Sequence, residues 1–310
     1  MTETVSDDTP VAARRSGSTR AGLVSVLGAF VIWGLLPLYL HALGAVPTLQ
    51  IMAHRILWSC VLVFGWLALR GGLGSVRSAL ADPPSRRRLT ASAALVSINW
   101  VVYVWAVNSG HVVEASLGYF INPLLSVALG VVVLQERLDR AQWVAVGLAA
   151  AGVAYLSLAT GRPPWIALVL AASFAGYGFI RKVVAVESVP GLATETLLLA
   201  PLAVGWLLWC EHEGSGAFGH AGAPINLLLL GCGIVTALPL ALFAFGARLI
   251  PLSSVGLLQY VGPTLQFLIG VLVLHEAFPR ARAVGFAMIW SALAIYAADS
   301  LWRNRKLLRA

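Results

Sequence analysis

The chain has 310 residues, of which 59% are hydrophobic and only 11% charged, with a formal net charge of +8 at pH 7. At a mean hydropathy of +0.85 it falls far short of the roughly 25% charged residues that a water-soluble domain carries. The hydrophobicity excludes a disordered chain, and three cysteines exclude a disulfide scaffold. A polytopic membrane protein remains. A span needs about 20 apolar residues, so the length holds roughly ten spans and short loops, with no large soluble domain.

Residues 1–20 are polar and mixed in charge, with Asp7 and Asp8 ahead of Arg14, Arg15 and Arg20, and read as a disordered cytoplasmic tail. The first apolar run is too long for a signal-peptide core and no small-residue cleavage site follows it, so it stays as a span. Apolar runs then predict ten helices at 21–43, 47–69, 89–109, 112–134, 141–160, 165–182, 192–210, 226–248, 251–274 and 281–302, ahead of a basic tail at 303–310. Punctuation is strong at Pro47, at Asp82-Pro83-Pro84 with Arg86-Arg87-Arg88, at Gly161-Arg162-Pro163-Pro164 and at 211–224. It is weakest at 106–113.

Lysine and arginine orient the spans. With ten spans and a cytoplasmic N-terminus, seventeen of the 21 basic residues fall on one side and only Arg162, Arg280 and Arg282 on the other, with Arg55 left inside a span. Both termini are therefore expected in the cytoplasm. An error of one span would scramble the asymmetry.

Shifting the chain by 140 residues aligns Leu117, Pro123, Leu125, Gly130, Glu136 and Arg140 with Leu257, Pro263, Leu265, Gly270, Glu276 and Arg280. An echo pairs Phe30 and Trp33-Gly34 with Phe174 and Tyr177-Gly178. The chain thus divides into repeats at 21–160 and 161–302. Five spans is an odd number, so the second unit is inverted relative to the first. Inverted repeats are a recurrent architecture of secondary transporters.

Several residues suggest chemistry within the membrane. Asn122-Pro123 and Gly262-Pro263 are helix interruptions at corresponding places in the two halves, freeing the carbonyls of Tyr119 and Gln259. Pro123 and Pro263 are expected as pivots, and Tyr119, Asn122, Gln259 and Tyr260 as lining of the pathway. The bland alternative is kinks and small-residue packing. Arg55 is costly to bury. It can clamp an anionic substrate group or form a structural ion pair, and Glu114 is the nearest plausible counter-ion. His54 reads as an interhelical hydrogen-bond partner. Glu195, about one turn into the seventh span, is a candidate coupling carboxylate or a group reaching cytoplasmic water. Glu136 and Glu276 suggest a helix-end hinge or cap. The aromatics Trp33, Trp100, Tyr103, Trp105 and Tyr177 can wall a cavity or simply pack.

The run WAVNSGHVVEASLGYFINPLLSVALGVVVLQERLDRAQW from Trp105 to Trp143, with AHRILWS at 53–59, resembles the RarD group of EamA-type transporters in the drug/metabolite transporter superfamily. The resemblance spans roughly 21–302. It implies an all-α, ten-helix membrane protein of two inverted five-helix units, a permease of the bacterial inner membrane.

An enzyme is not expected: HExxH, GxSxG and Walker A patterns are missing from the sequence. No cofactor or metal is expected either, since Cys60, Cys210 and Cys232 lie in or beside apolar runs outside any CxxC pattern. The scattered basic residues argue against nucleic acid. The expected partners are the lipid bilayer and a small-molecule substrate, with Arg55 favouring an acidic group on it. The expectation is a secondary transporter exporting a small organic metabolite or drug by alternating access. The alternatives are an importer of the same fold, and a non-transport scaffold or receptor.

Overall fold

The computed structural model describes residues 11–134, 140–247, 249–250 and 258–307. Glu136, Arg137 and Arg248 lie outside the described residues. Among those described the fold is entirely helical. The elements are α1 (Val11–Ala42), α2 (Thr48–Leu69), α3 (Leu73–Ala81), α4 (Pro83–Asn108), α5 (Val112–Leu134), α6 (Arg140–Thr160), α7 (Trp165–Val183), α8 (Ser188–His212), α9 (Ala223–Ala247), α10 (Val261–Leu268) and α11 (Arg280–Leu307). A π-helical turn, Ile269–Val273, extends α10.

Among the described residues, α2, α4, α6 and α8, with most of α1, α9 and α11, make seven helices long and apolar enough to cross a bilayer. Shorter apolar stretches cover Val112–Leu125, Trp165–Arg181 and Val261–Val273. Each of the ten expected apolar runs therefore contains a helix. The boundaries differ in instructive ways.

α1 starts at Val11, ahead of the expected position 21. α4 starts six residues early because the Asp82 carboxylate accepts the Ser85 N–H at 3.0 Å and Pro83 and Pro84 fill a first turn that needs no N–H donors. α8 starts at Ser188, with Pro190 in its first turn by the same logic. The segment between the second and third expected spans holds an additional short helix, α3. Val76 and Ala79 are its buried face, packed against α8 and α4.

α1 packs on α9 and α10, α7 on α4 and α5, and α2 on α8 and α9, while α4 meets α8, α5 meets α10 and α6 meets α11. Several apolar clusters result, of which two are large. One gathers Leu36, Leu40, Ile51, Val104 and Leu170; the other gathers Leu117, Phe120, Leu156, Phe286 and Ile289. Close helix approach depends on glycine. A Cβ at Gly233 on α9 would stand 2.6 Å from the Trp58 carbonyl carbon on α2.

The loop after α8 is tied to the start of α2. The buried Gln50 donates to the Ser215 carbonyl at 2.8 Å and accepts the Ala217 N–H at 2.9 Å. At α5, both oxygens of Glu276 accept backbone N–H groups, from Val112 at 2.5 Å and Val113 at 2.9 Å. Helix starts leave such donors unsatisfied and carry partial positive charge, so the carboxylate caps α5 from a neighbouring segment.

Candidate functional site

Arg55 is the eighth residue of α2, about 10 Å along the helix axis from its start. It is 3% exposed. Its Nε donates to Thr236 Oγ1 on α9 at 3.2 Å, and its Cζ lies over the Trp100 ring of α4 at 4.9 Å from the centroid. Nη1 has no hydrogen-bond partner. Cys232, Tyr119, Tyr103 and Tyr39 are within electrostatic reach. Among the described residues no carboxylate reaches ion-pair distance.

The expected ion pair with Glu114 therefore does not form. Glu114 Oε1 instead accepts the Ile166 N–H at 3.2 Å, at the start of α7. Geometry explains the difference: a helix start next to Glu114 offers free N–H donors, whereas Arg55 is turned toward α4 and α9.

The walls of the Arg55 niche are themselves held. Tyr119 donates to Asn99 Oδ1 at 3.1 Å, while Asn99 Nδ2 donates to the Leu170 carbonyl at 2.9 Å and to Ser173 Oγ at 3.1 Å. This buried network joins α4, α5 and α7. Tyr103 stands edge-on to Tyr119 with ring centroids 5.6 Å apart, and its hydroxyl has no partner. Tyr39 on α1 donates to the Leu228 carbonyl. The Trp100 face stabilises the cation through its negative quadrupole.

His54 is buried too, but its Nδ1 accepts Trp58 Nε1 at 3.2 Å on its own helix, and its ring lies against Phe218. The expected interhelical hydrogen bond is not formed.

A second charged cluster surrounds Glu195, the eighth residue of α8. Because α8 begins earlier than the apolar pattern suggests, Glu195 lies two turns in and is 1% exposed. Ser92 of α4 donates to Oε1, Tyr177 of α7 donates to Oε2 at 3.5 Å, and Arg181 Nη1 lies 3.7 Å from Oε1. Glu195 and Tyr177 stand out in the sequence, whereas Arg181 looks like one more basic residue at a span end.

The other candidates lie elsewhere. Asn122 is half-buried and Pro123 buried within an unbroken α5. Gln259 and Tyr260 form a turn ahead of α10, whose first turn contains Pro263. The two prolines thus sit differently: one inside a continuous helix, the other at a helix start, where its missing N–H costs nothing. Tyr260 lines a cavity of about 350 Å³ with Phe120, Thr264 and Trp290, apart from the Arg55 niche. Trp33 gives its carbonyl to Gln266 Nε2 at 3.0 Å, and Trp105 stacks on His111.

Comparison with known proteins defines the class. The EamA-like transporter family model matches residues 20–158. Protein RarD of Streptomyces exfoliatus is 47% identical over 288 residues, covering 93% of this chain and 91% of that protein. Transporter YojE of Bacillus subtilis is 44% identical, covering 90% and 94%. A chloramphenicol-sensitive protein RarD of Pseudomonas aeruginosa is 35% identical, covering 93% and 97%. One crystal structure superposes with a TM-score of 0.57 at 22% identity, over 91% of this chain and 97% of that one, a likeness of fold. The fold and these relatives define a multi-pass bacterial membrane transporter. The chain belongs to the RarD group of EamA-type transporters.

Proposed function

We propose that this protein is a secondary active transporter, with ten spans in two inverted five-helix repeats. It exports a small organic metabolite or drug across the bacterial inner membrane by alternating access. Both termini lie in the cytoplasm in this reading, which the distribution of basic residues supports. The substrate carries an acidic group that Arg55 binds.

The observation that carries this reading is the Arg55 niche: a buried guanidinium with a free Nη1 and no carboxylate partner among the described residues. An unpaired charge at membrane depth costs several kcal/mol. A substrate carboxylate docking there would offset that cost, while Trp100, Tyr103 and Tyr119 would meet the organic body. Arginine suits the role because its planar fork can give two parallel hydrogen bonds to one carboxylate.

Helix packing supports the inverted repeat. Exchanging α1, α2, α4, α5 and α6 for α7, α8, α9, α10 and α11 turns the α1–α9 contact into α7–α4, α1–α10 into α7–α5, and α2–α9 into α8–α4. The contacts α2–α8, α5–α10 and α6–α11 return to themselves. Two inverted units rocking against each other would open the niche to one face and then the other. Pro123 and the α10 break at Gln259-Tyr260 are the proposed pivots, with Asn122 and Glu114 beside the pathway.

The test is untargeted metabolomics of medium and cell extract from overexpressing and deletion strains. A metabolite that accumulates outside only with the intact protein is the expected result, and it names the substrate class. A metabolite that accumulates inside instead would reverse the direction.

A further inference from the structure

The two buried charged niches are counterparts. Arg55 and Glu195 are each the eighth residue of their helices, and α2 and α8 exchange under the pairing described above. Arg55 meets α1 through Tyr39 and α9 through Thr236. Glu195 meets α7 through Tyr177 and α4 through Ser92, the exchanged pair. Their chemistry is opposite. The Arg55 niche holds a cation with no carboxylate beside it among the described residues, whereas the Glu195 niche is filled by Ser92, Tyr177 and Arg181, although Arg181 Nη1, like Arg55 Nη1, makes no hydrogen bond.

That filling suits two protonation states. Ser92 has one hydroxyl proton and two acceptors in reach, Glu195 Oε1 and the Leu89 carbonyl at 3.1 Å. With Glu195 ionised, Ser92 donates to it. With Glu195 neutral, Ser92 donates to Leu89 and accepts from the carboxylic acid. Arg181 is also held independently of the carboxylate, since its Nη2 donates to the carbonyls of Glu187 at 3.3 Å and Ser188 at 3.1 Å. Its guanidinium occupies a slot that exists because residue 191 is glycine; a Cβ there would overlap Nη1. At 3.7 Å the ion pair is Coulombic, longer than a charge-assisted hydrogen bond.

The titratable groups around α8, among the described residues, are few. α7 presents Arg181 and Tyr177, and α2 presents Cys60, which is hydrogen-bonded to Thr196. On α9, Cys232 pairs with Tyr39 and Arg55. Arg77 on α3 is exposed. On α4, Arg88 donates to the Val183 carbonyl, Arg86 and Arg87 are exposed, and Tyr103 faces Arg55. Among the described residues only Arg181 stands at ion-pair distance from Glu195, and at 14% exposure it connects the niche to the surface at the α7–α8 turn.

We propose that Glu195 is a proton-binding site coupled to solute movement, with Arg181, seated over Gly191, as its counter-ion. The proton enters from water at the α7–α8 turn and neutralises the carboxylate, and Ser92 rotates to the Leu89 carbonyl. α4 carries the change, because it holds Ser92 against Glu195 and, two turns on, Trp100 against Arg55. The coupling ion is then a proton. This inference rests on the transporter reading above.

The test is infrared titration of the full-length protein in lipid nanodiscs, with protons as the only ligand. Wild type should gain the band of a buried protonated carboxyl group as the buffer goes from about pH 9 to about pH 5. Glu195→Gln should lack it. Gly191→Ala, which displaces Arg181, should enlarge the band at neutral pH by about twofold or more. Hydrogen exchange in α4 between Ser92 and Tyr103 should change across the same pH range in wild type and stay constant in Glu195→Gln. A wild type without the band, or a band that survives in Glu195→Gln, overturns the site; constant exchange in wild type overturns the coupling. Missing bands beside intact solute movement would sink the proton site alone, whereas strains that differ in no metabolite would sink the transporter reading.

Discussion

Glu276 closes the first turn of α5 with two hydrogen bonds from outside the helix. Glu276→Ala should cost about 1–2 kcal/mol, comparable to losing a helix cap, and should speed hydrogen exchange at Val112 and Val113. An unchanged melting temperature in detergent would contradict the capping role. Asp82 acts similarly but in water. The hydroxyl and N–H of Ser85 hold its carboxyl below the usual carboxylate range. A depressed carboxyl stabilises the fold above its unfolded-state value and loses that contribution as pH falls through the folded one. Asp82→Asn should therefore reduce the acid dependence of the melting temperature at the low end of the pH range, and identical profiles would contradict the assignment. At this scale the sequence made Arg55 legible, because one charge inside an apolar run is conspicuous and expensive. Its partners were not legible, since which way a helix turns its side chain depends on the packing of four other helices. Glu114 shows the consequence: its depth at the end of the fourth span suggests a pair with Arg55, and a helix start takes it instead.

Helix contacts decide how the niches are assembled. Gly233 lets α9 lie against the α2 backbone at Trp58, one turn from Thr236, the hydrogen-bond partner of Arg55. Gly233→Ala should force α9 off α2 and destabilise the protein by about 1–3 kcal/mol, read as a lower melting temperature at matched detergent and lipid. A neutral substitution would mean that the two helices do not approach so closely. Apolar runs gave away nearly every long helix, because a lipid-facing helix must be continuously hydrophobic. They gave away starts poorly. Hydrophobicity does not register the polar first turns at Pro83 and Ser188 where proline or a cap begins the helix, and the early start of α8 is what buries Glu195. α3 escaped for a related reason: it is short and half-polar, and only the three-residue spacing of Val76 and Ala79 marks its buried side. Val46-Pro47-Thr48-Leu49 and Val189-Pro190-Gly191-Leu192 are a further echo between the halves that sets Glu195 opposite Met52, about one turn from Arg55, so it points to the same stretch of both helices but not to a residue-for-residue match.

For the whole molecule, the proposed division of labour puts a substrate cation site in one half and a proton site at the corresponding place in the other, bridged by α4. The central claim is that Arg55 binds the transported solute. The most direct measurement follows the metabolite that distinguishes overexpressing from deletion strains in cells carrying Arg55→Ala or Arg55→Lys at equal membrane abundance. Losing a buried charge-assisted contact should lower movement of that metabolite by about tenfold or more in Arg55→Ala, with partial activity in Arg55→Lys. Full movement of the metabolite by Arg55→Ala would contradict the account.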